Sequence, residues 1–159
     1  MSQILEFYRG TIKHPNGLTF EETLDLPNVV WERCHNYIQW LFPLPEASKL
    51  HPNAPVADRA DFEAFRTDSV LQAKLRAAVA RYLRFLQEYR GWVRAGDHNH
   101  LRVTRVIRCL ILAWMPEDAE AFLNSVMLVC ENKVSDQTLY YWQEALNLVP
   151  EWLESPEES

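Results

Sequence analysis

The spacing of apolar side chains in the second half of the chain constrains its fold more than any other feature. Such residues recur every three or four positions through residues 69–90 and again through residues 98–114. That interval places them on one face of an α-helix. No segment of useful length shows the alternation of a half-buried strand, and no internal repeat is visible. The pattern therefore predicts an all-α protein.

Residues that favour helix ends divide the chain into about six or seven helices. Thr19 and Glu22 have the spacing of a capping box, and Pro27 is expected to stop the short helix that they open. Gly91 is expected to end the helix over 69–90 from its C′ position. The predicted helices cover residues 20–26, 28–42, 58–66, 69–90 after Asp68, 98–114 after Asp97, a segment from Pro116, and 136–149 between Ser135 and Pro150.

Length and composition fit one domain with an aromatic-rich core, because the chain has 159 residues of which 12% are aromatic. We expect residues 1–150 to form this domain and residues 151–159 to be an acidic disordered tail. The three cysteines form no CxxC pair, and each lies in an apolar segment predicted to be helical, where a thiol is usually a small buried hydrophobe. Neither a signal peptide nor a membrane-spanning segment is apparent. These features favour a cytoplasmic location.

The net charge of −6 conceals an uneven distribution. Residues 69–108 carry nine Lys and Arg but only two acidic side chains, so the rest of the chain is strongly acidic. Either the acidic segments pair with this basic region inside the domain, or the region forms an anion-binding face. Within it, Arg102, Arg105 and Arg108 recur every third residue. They form either a solvated helix face or a contact surface for phosphate or carboxylate.

Two interpretations are also open for Trp40, which lies in the helix predicted over residues 28–42. At 100° per residue Trp40 lies about 180° from Trp31, off the apolar face. It either packs beneath the proline-rich loop 43–55 or lines an exposed recognition surface, and a large aromatic usually finds cover. His35 and Gln39 are one turn apart, so they could share a polar contact or cap that loop.

Signatures of catalysis and metal binding are missing. Phosphate-binding loops, G-x-S-x-G and H-E-x-x-H do not occur. His98 and His100 are two residues apart and would point in different directions from a helix, which disfavours a shared metal ion. Cys34 and His35 are adjacent and diverge for the same reason, so they make a poor nucleophile–base pair. We expect no metal, no cofactor and no enzymatic activity.

Two longer motifs are specific. HNYIQWLFPL at residues 35–44 and HNHLRVTRVI at residues 98–107 closely resemble the signatures H-x-Y-I-Q-W-L-F-P and H-N-x-L-R-[IV]-T-R-[IV] of the N-terminal domain of the opioid growth factor receptor family. Phe7, Tyr8 and residues 17–22 are similar to that family's opening, and the resemblance covers roughly residues 5–115. It implies a helical domain and, for the vertebrate members, a nucleus-associated receptor for an enkephalin peptide. Those members have a long low-complexity tail without a counterpart after Pro150, so their localisation is not expected to transfer.

The interpretation that follows is a non-enzymatic binding module whose surface is built from the two motifs. Its partner would be a peptide, a protein or a small anionic ligand. The residues expected to bind it are His35, Gln39, Trp40, His100, Arg102 and Arg105. One alternative is nucleic-acid binding through residues 69–108. Another is an enzyme that uses His35, His98 or His100 as a general base.

Overall fold

The computed structural model of the chain describes residues 1–148 and confirms the all-α class. Nine α-helices lie within that part of the chain, along with a 3-10 turn at Arg90–Trp92. None of these helices is both long and apolar enough to cross a lipid bilayer. The helices are α1 Gln3–Arg9, α2 Phe20–Leu24, α3 Asn28–Arg33, α4 Ile38–Leu41, α5 Arg59–Thr67, α6 Ser69–Glu88, α7 His98–Leu112, α8 Pro116–Cys130 and α9 Asp136–Leu146.

Local sequence explains most helix starts. The Thr19 hydroxyl accepts a hydrogen bond from the Glu22 amide, and the Glu22 carboxylate accepts one from the Thr19 amide, which completes the predicted capping box of α2. Side chains of Asp68, Asp97 and Ser135 cap α6, α7 and α9 in the predicted way. The sequence reading did not predict α1, which is capped by the side chain of residue 2.

A single core joins the helices. Helix α7 packs most extensively against α8 and α9, while α6 packs against α3, α5 and α8. The largest fully buried side chains are mainly aromatic: Trp92, Trp142, Tyr8, Tyr82, Phe7, Phe20, Phe42, Phe62, Phe65 and Phe85. Phe62 and Phe65 face inward from α5 as predicted. The proposed tail at 151–159 and Pro150 lie outside the described residues.

The prediction of one helix over 28–42 is wrong, because the segment forms two short helices separated at residues 34–37. Cys34 has extended backbone angles (φ −95°, ψ 120°) and ends α3. The Trp31 carbonyl, which a continuous helix would bond to the amide of residue 35, accepts instead from the Arg102 guanidinium. The Cys34 carbonyl accepts from the same guanidinium at 3.2 Å. A side chain distant in sequence thus replaces the intrahelical bonds.

This break also changes the surroundings of Trp40 and Cys34. Trp40 is buried, with its ring centroid 5.4 Å from that of Phe7 and 5.3 Å from that of His14. Of the two alternatives for Trp40, the structure shows packing: the side chain is covered by Phe7 and His14 and faces residues 50–54 of the proline-rich loop across a shallow cavity. Cys34 is half-buried at a helix end and not within a helix, contrary to the prediction, whereas Cys109 and Cys130 are buried in helices.

Two helix ends also differ from their predictions. Helix α6 ends at Glu88, and Gly91 lies in the 3-10 turn without a positive φ, so it is not a C′ glycine. A Cβ at Gly91 would meet the outer end of the Tyr89 side chain, so a larger residue there requires that side chain to move. Helix α9 ends at Leu146, three residues before its predicted end.

Candidate functional site

The two motifs meet in space. A pocket of about 330 Å³ lies between α7 on one side and α4 with the following loop on the other. We call it the motif pocket. Apolar side chains of Ile38, Leu44 and Leu101 form part of its wall. Its polar and charged lining consists of His35, Gln39, Ser48, Lys49, His51, His98, Arg102, Thr104, Arg105 and Arg108.

Three arginines on α7 hold the opposite wall in place. Arg102 is buried and donates to the carbonyls of Trp31 and Cys34 and to the side chain of Asn99. Arg105 Nε donates to the Phe42 carbonyl at 2.7 Å. Their spacing of three residues lets both guanidinium groups reach carbonyls of the facing segment, Arg102 at residues 31 and 34 and Arg105 at residue 42. The stripe predicted as a surface is therefore largely a packed contact between α7 and the α3–α4 segment.

The third arginine, Arg108, forms an ion pair with Glu46 at the edge of the pocket. Arg102 and Arg105 have no carboxylate partner within salt-bridge distance in the described part of the chain, although they are buried and half-buried respectively. Burial lowers the pKa of Arg105, which remains a cation at neutral pH. Because no lining side chain is acidic among the described residues, the motif pocket has a positive potential.

Gln39 is the least satisfied polar side chain of the pocket. It is 8% exposed, and its Oε1 atom is buried with no hydrogen-bond partner among the described residues. A buried amide oxygen without a partner costs free energy that folding must recover elsewhere. Because this oxygen is buried, a ligand in the pocket could bond to it only if the Gln39 side chain moved.

Histidines line one end of the motif pocket. The rings of His35 and His98 have centroids 4.9 Å apart, and His98 Nε2 lies 3.4 Å from Glu32 Oε1. Burial, followed by the nearby charge of Arg102, lowers the pKa of His35, so this ring is neutral at pH 7. Protonation of His35 would add to the positive charge that already surrounds it.

Glu32, Asp97 and His98 are close enough to bind a metal ion, since their ligand atoms lie within 4.8 Å of one another. Their carboxylates are engaged in other bonds. Asp97 accepts from the backbone and side chain of Asn99 and from Arg94, and Glu32 accepts from Asn99. These bonds fix the Asn99 amide, which in turn accepts from Tyr82 Oη and Arg102. The cluster accounts for the orientation of Arg102.

Two of the predicted site residues lie outside the motif pocket. His100 Nε2 contacts the Trp92 carbonyl at 2.9 Å, and its ring lies edge-on to Trp92 and Trp142. It lines a neighbouring groove between α7 and α9, together with Leu101 and Tyr141. Trp40 faces a third, shallow cavity formed with residues 50–54. The structure thus brings His35, Gln39, Arg102 and Arg105 together but separates His100 and Trp40 from them.

Sequence reasoning missed the contribution of the loop. Lys49 and His51 line the motif pocket, and neither is in a helix. The available signal was a cluster of Lys and His between the prolines of a loop that follows the first motif. Charge type alone could not show that this loop turns back toward α7.

Part of the basic region 69–108 is neutralised by acidic side chains from other parts of the domain. Lys74 pairs with Glu21 at 3.3 Å, and Arg76 pairs with Asp118 at 3.0 Å. Arg81 donates to the carbonyls of residues 24 and 26. Internal pairing of acidic and basic segments, the first of the two alternatives, is what the structure shows for Lys74 and Arg76, whereas Arg81 bonds to neutral carbonyls.

Comparison with known proteins gives a consistent result. The family model described as the opioid growth factor receptor conserved region matches residues 1–90. The human opioid growth factor receptor is 33% identical over 67% of this chain and 19% of its own length. The mouse opioid growth factor receptor-like protein 1 is 30% identical over 67% of this chain and 27% of its own length. The chain therefore spans about a fifth to a quarter of these relatives. No solved structure matches it.

Proposed function

The chain belongs to the opioid growth factor receptor family, and from that premise we propose that it is a non-enzymatic binding module whose ligand surface is the motif pocket. The observation that carries the proposal is the convergence of the two motifs on one concave, positively charged site. Pockets with a few polar groups on a largely apolar wall are where small ligands usually bind. A cytoplasmic location is part of the same proposal and is supported by three free cysteines.

The names of the relatives suggest one ligand to test. Those proteins are receptors for opioid growth factor by name, and peptide binding by this chain would follow if the shared segment holds their binding surface. A short peptide could place an anionic end group in the motif pocket and the rest over the exposed Leu101 at its rim. In this version of the proposal the binding site is the same motif pocket, and the ligand is a short peptide.

Nucleic-acid binding through residues 69–108 has less support. Binding to a phosphate backbone requires a row of free cations. In this domain, Lys74, Arg76, Arg84 and Arg94 already pair with carboxylates. Arg102 and Arg105 line the motif pocket and Arg81 donates to backbone carbonyls, so these cations do not form a row along one surface.

An enzymatic role for the histidines is also disfavoured. His100 is held between two tryptophans and engages a carbonyl. His35 and His98 face each other, but the two hydroxyls of the pocket lining are engaged elsewhere: Ser48 Oγ accepts from the His51 amide, and Thr104 Oγ1 donates to the His100 carbonyl. The proposal therefore assigns them to ligand binding.

Chemical-shift mapping of the ¹⁵N-labelled protein tests the proposal. The probes are the opioid growth factor peptide and a library of small fragments, charged and neutral. We expect the largest shifts at the amides of Gln39, Lys49 and Arg105. Gln39→Leu should reduce them, while Gln137→Leu in the neighbouring groove should not. Shifts confined to the α7–α9 groove, or no shift with any probe, would refute the proposed surface.

A further inference from the structure

The groove between α7 and α9 has large apolar side chains that the described chain leaves uncovered. Its volume is about 630 Å³, nearly twice that of the motif pocket. Trp142 lines it and is buried, with Nε1 donating to the His100 carbonyl at 3.0 Å. Leu101 of α7 is 72% exposed and Tyr141 of α9 is 53% exposed, and both line the same groove. Exposed apolar side chains on both sides of a groove are typical of a surface that another segment covers.

The charge around this groove favours an acidic occupant. Asp97 is the only acidic residue of its lining among the described residues, and it is buried and accepts hydrogen bonds from Arg94 and Asn99. Its charge is therefore already compensated. Leu101 also lines the positively charged motif pocket, to which the exposed Lys49 contributes. A segment that fills the groove and carries carboxylates would be attracted by this neighbouring charge.

Residues 149–159 of this chain, which we call the acidic segment, have the matching composition. The segment contains four glutamates and no Lys, Arg or His. Its two largest apolar side chains, Trp152 and Leu153, are adjacent and lie between Glu151 and Glu154. Such a pair leaves water only if it packs against another part of the protein. An apolar pair with acidic neighbours on both sides is suited to an apolar groove beside a positive pocket.

The acidic segment begins close to the groove. Helix α9 forms one wall and ends at Leu146, and the described chain ends two residues later. At about 1.5 Å per helical residue, Tyr141 lies about 8 Å from the end of α9. The chain from residue 148 to residue 152 spans up to about 13 Å, so Trp152 can reach Tyr141. A short tether also gives an effective concentration in the millimolar range, at which even a weak contact is populated.

We propose that the acidic segment folds back along α9 and docks in the groove between α7 and α9. Trp152 and Leu153 cover Leu101 and Tyr141, and the glutamates beside this pair face the cations of the motif pocket. This proposal does not depend on the function proposed above, because it concerns a neighbouring surface and an occupant from the same chain.

The test is ¹⁵N relaxation of the full chain at low protein concentration. Backbone order parameters are about 0.85 in rigid segments and below about 0.6 in flexible ones. We expect wild-type values above about 0.6 at Trp152 and Leu153, together with NOEs between the Trp152 indole and the Leu101 methyl groups. Values below about 0.6 at both residues would overturn the proposal. Ordered residues without these NOEs would also overturn it, since the segment would then lie elsewhere.

Two exposed leucines provide a matched pair of variants. Leu101→Ser removes an apolar side chain of the groove and should lower the order parameter of Leu153 below about 0.6. Leu128→Ser changes a similarly exposed leucine on α8, in a cavity that contains Glu131 and would repel an acidic segment. It should leave that order parameter unchanged. Since both leucines are exposed, neither change should unfold the domain. Equal effects of the two variants would contradict the assigned surface.

Changes in the acidic segment itself complete the test. Trp152→Ser should shift the amide resonances of Leu101 and Tyr141, whereas Ser155→Ala should not, and equal shifts would overturn the contact. High salt should lower the order parameter of Glu154, and an unchanged value would exclude the contact with the pocket cations. If the order parameters depend on protein concentration and ultracentrifugation shows a dimer, the occupant belongs to a second copy, which overturns docking within one chain.

Discussion

Replacing Arg102 with methionine should destabilise the domain strongly, although methionine can fill much of the same space. The guanidinium is 6% exposed and donates to the Trp31 and Cys34 carbonyls, neither of which has another hydrogen-bond donor in the described chain. Loss of a charged donor costs about 1.5–3 kcal/mol for each buried acceptor, which makes about 3–6 kcal/mol for the two carbonyls. Removal of a buried charge offsets part of this cost, so we expect a net loss of about 4 kcal/mol.

Differential scanning calorimetry and urea unfolding measure this loss. For a chain of this length, 1 kcal/mol corresponds to about 2–4 °C in Tm, so Arg102→Met should melt about 10 °C below the wild type. Arg108→Gln is the matched control on the same helix, since its ion pair with Glu46 is partly exposed and worth about 0–1 kcal/mol. An Arg102→Met protein that melts within about 2 °C of Arg108→Gln would refute the role of Arg102 in holding the α3–α4 break.

Three further predictions concern other parts of the domain. Thr19→Ala removes the capping hydroxyl of α2 and should lower the unfolding free energy by about 1 kcal/mol in urea; an unchanged midpoint would contradict the capping role. Burial, followed by the charge of the neighbouring Arg102 guanidinium, lowers the pKa of His35 in the folded state. The unfolded state therefore takes up a proton at higher pH than the folded state. Stability must fall as the pH drops below about 6.5. His35→Asn should make that fall shallower between pH 7 and pH 5, and an identical slope would exclude His35 as its source. Trp142→Phe loses the bond from Nε1 to the His100 carbonyl (3.0 Å) and some core volume, so it should cost about 2 kcal/mol by thermal unfolding, against almost none for the exposed Tyr141→Phe.

The features of the fold that local sequence determines were predictable. The capping residues Thr19, Asp68 and Asp97 act within three residues of themselves, so their spacing was sufficient to place the helix starts. The inward positions of α6 and α7 follow from a period of 3.6 residues in the same way. The family resemblance rests on contiguous motifs and needed no knowledge of tertiary contacts.

The break at residues 34–37 was not predictable by these means. The apolar spacing of residues 28–42 is compatible with a helix, and the residue that competes for its carbonyls, Arg102, lies 71 positions from Trp31. Arginine on a helix is usually solvated, which is why a buried stripe was read as a possible surface. Here hydrogen bonds from a residue distant in sequence outweigh the helix propensity of the segment.

Only some residues of the motif pocket were predictable from the sequence. His35, Gln39, Arg102 and Arg105 belong to the motifs, and the structure brings these four together. Lys49 and His51 belong to a loop without periodicity, so their positions depend on where its ends are anchored. His100 shares a motif with Arg102 but turns to the other side of α7.

The arginines of α7 also determine which segment of the chain can exist as an independent folding unit. The region matched by the family model ends at residue 90, but the backbone of α3 and α4 inside that region is held by Arg102 and Arg105 beyond it. A recombinant fragment cut at residue 90 would therefore lack its own internal scaffold. We expect it to be partly unstructured and prone to aggregation, because core aromatics such as Tyr82 would lose their cover. The family-model match and the folding unit thus have different boundaries in this protein, and fragments for expression should include α7 through α9.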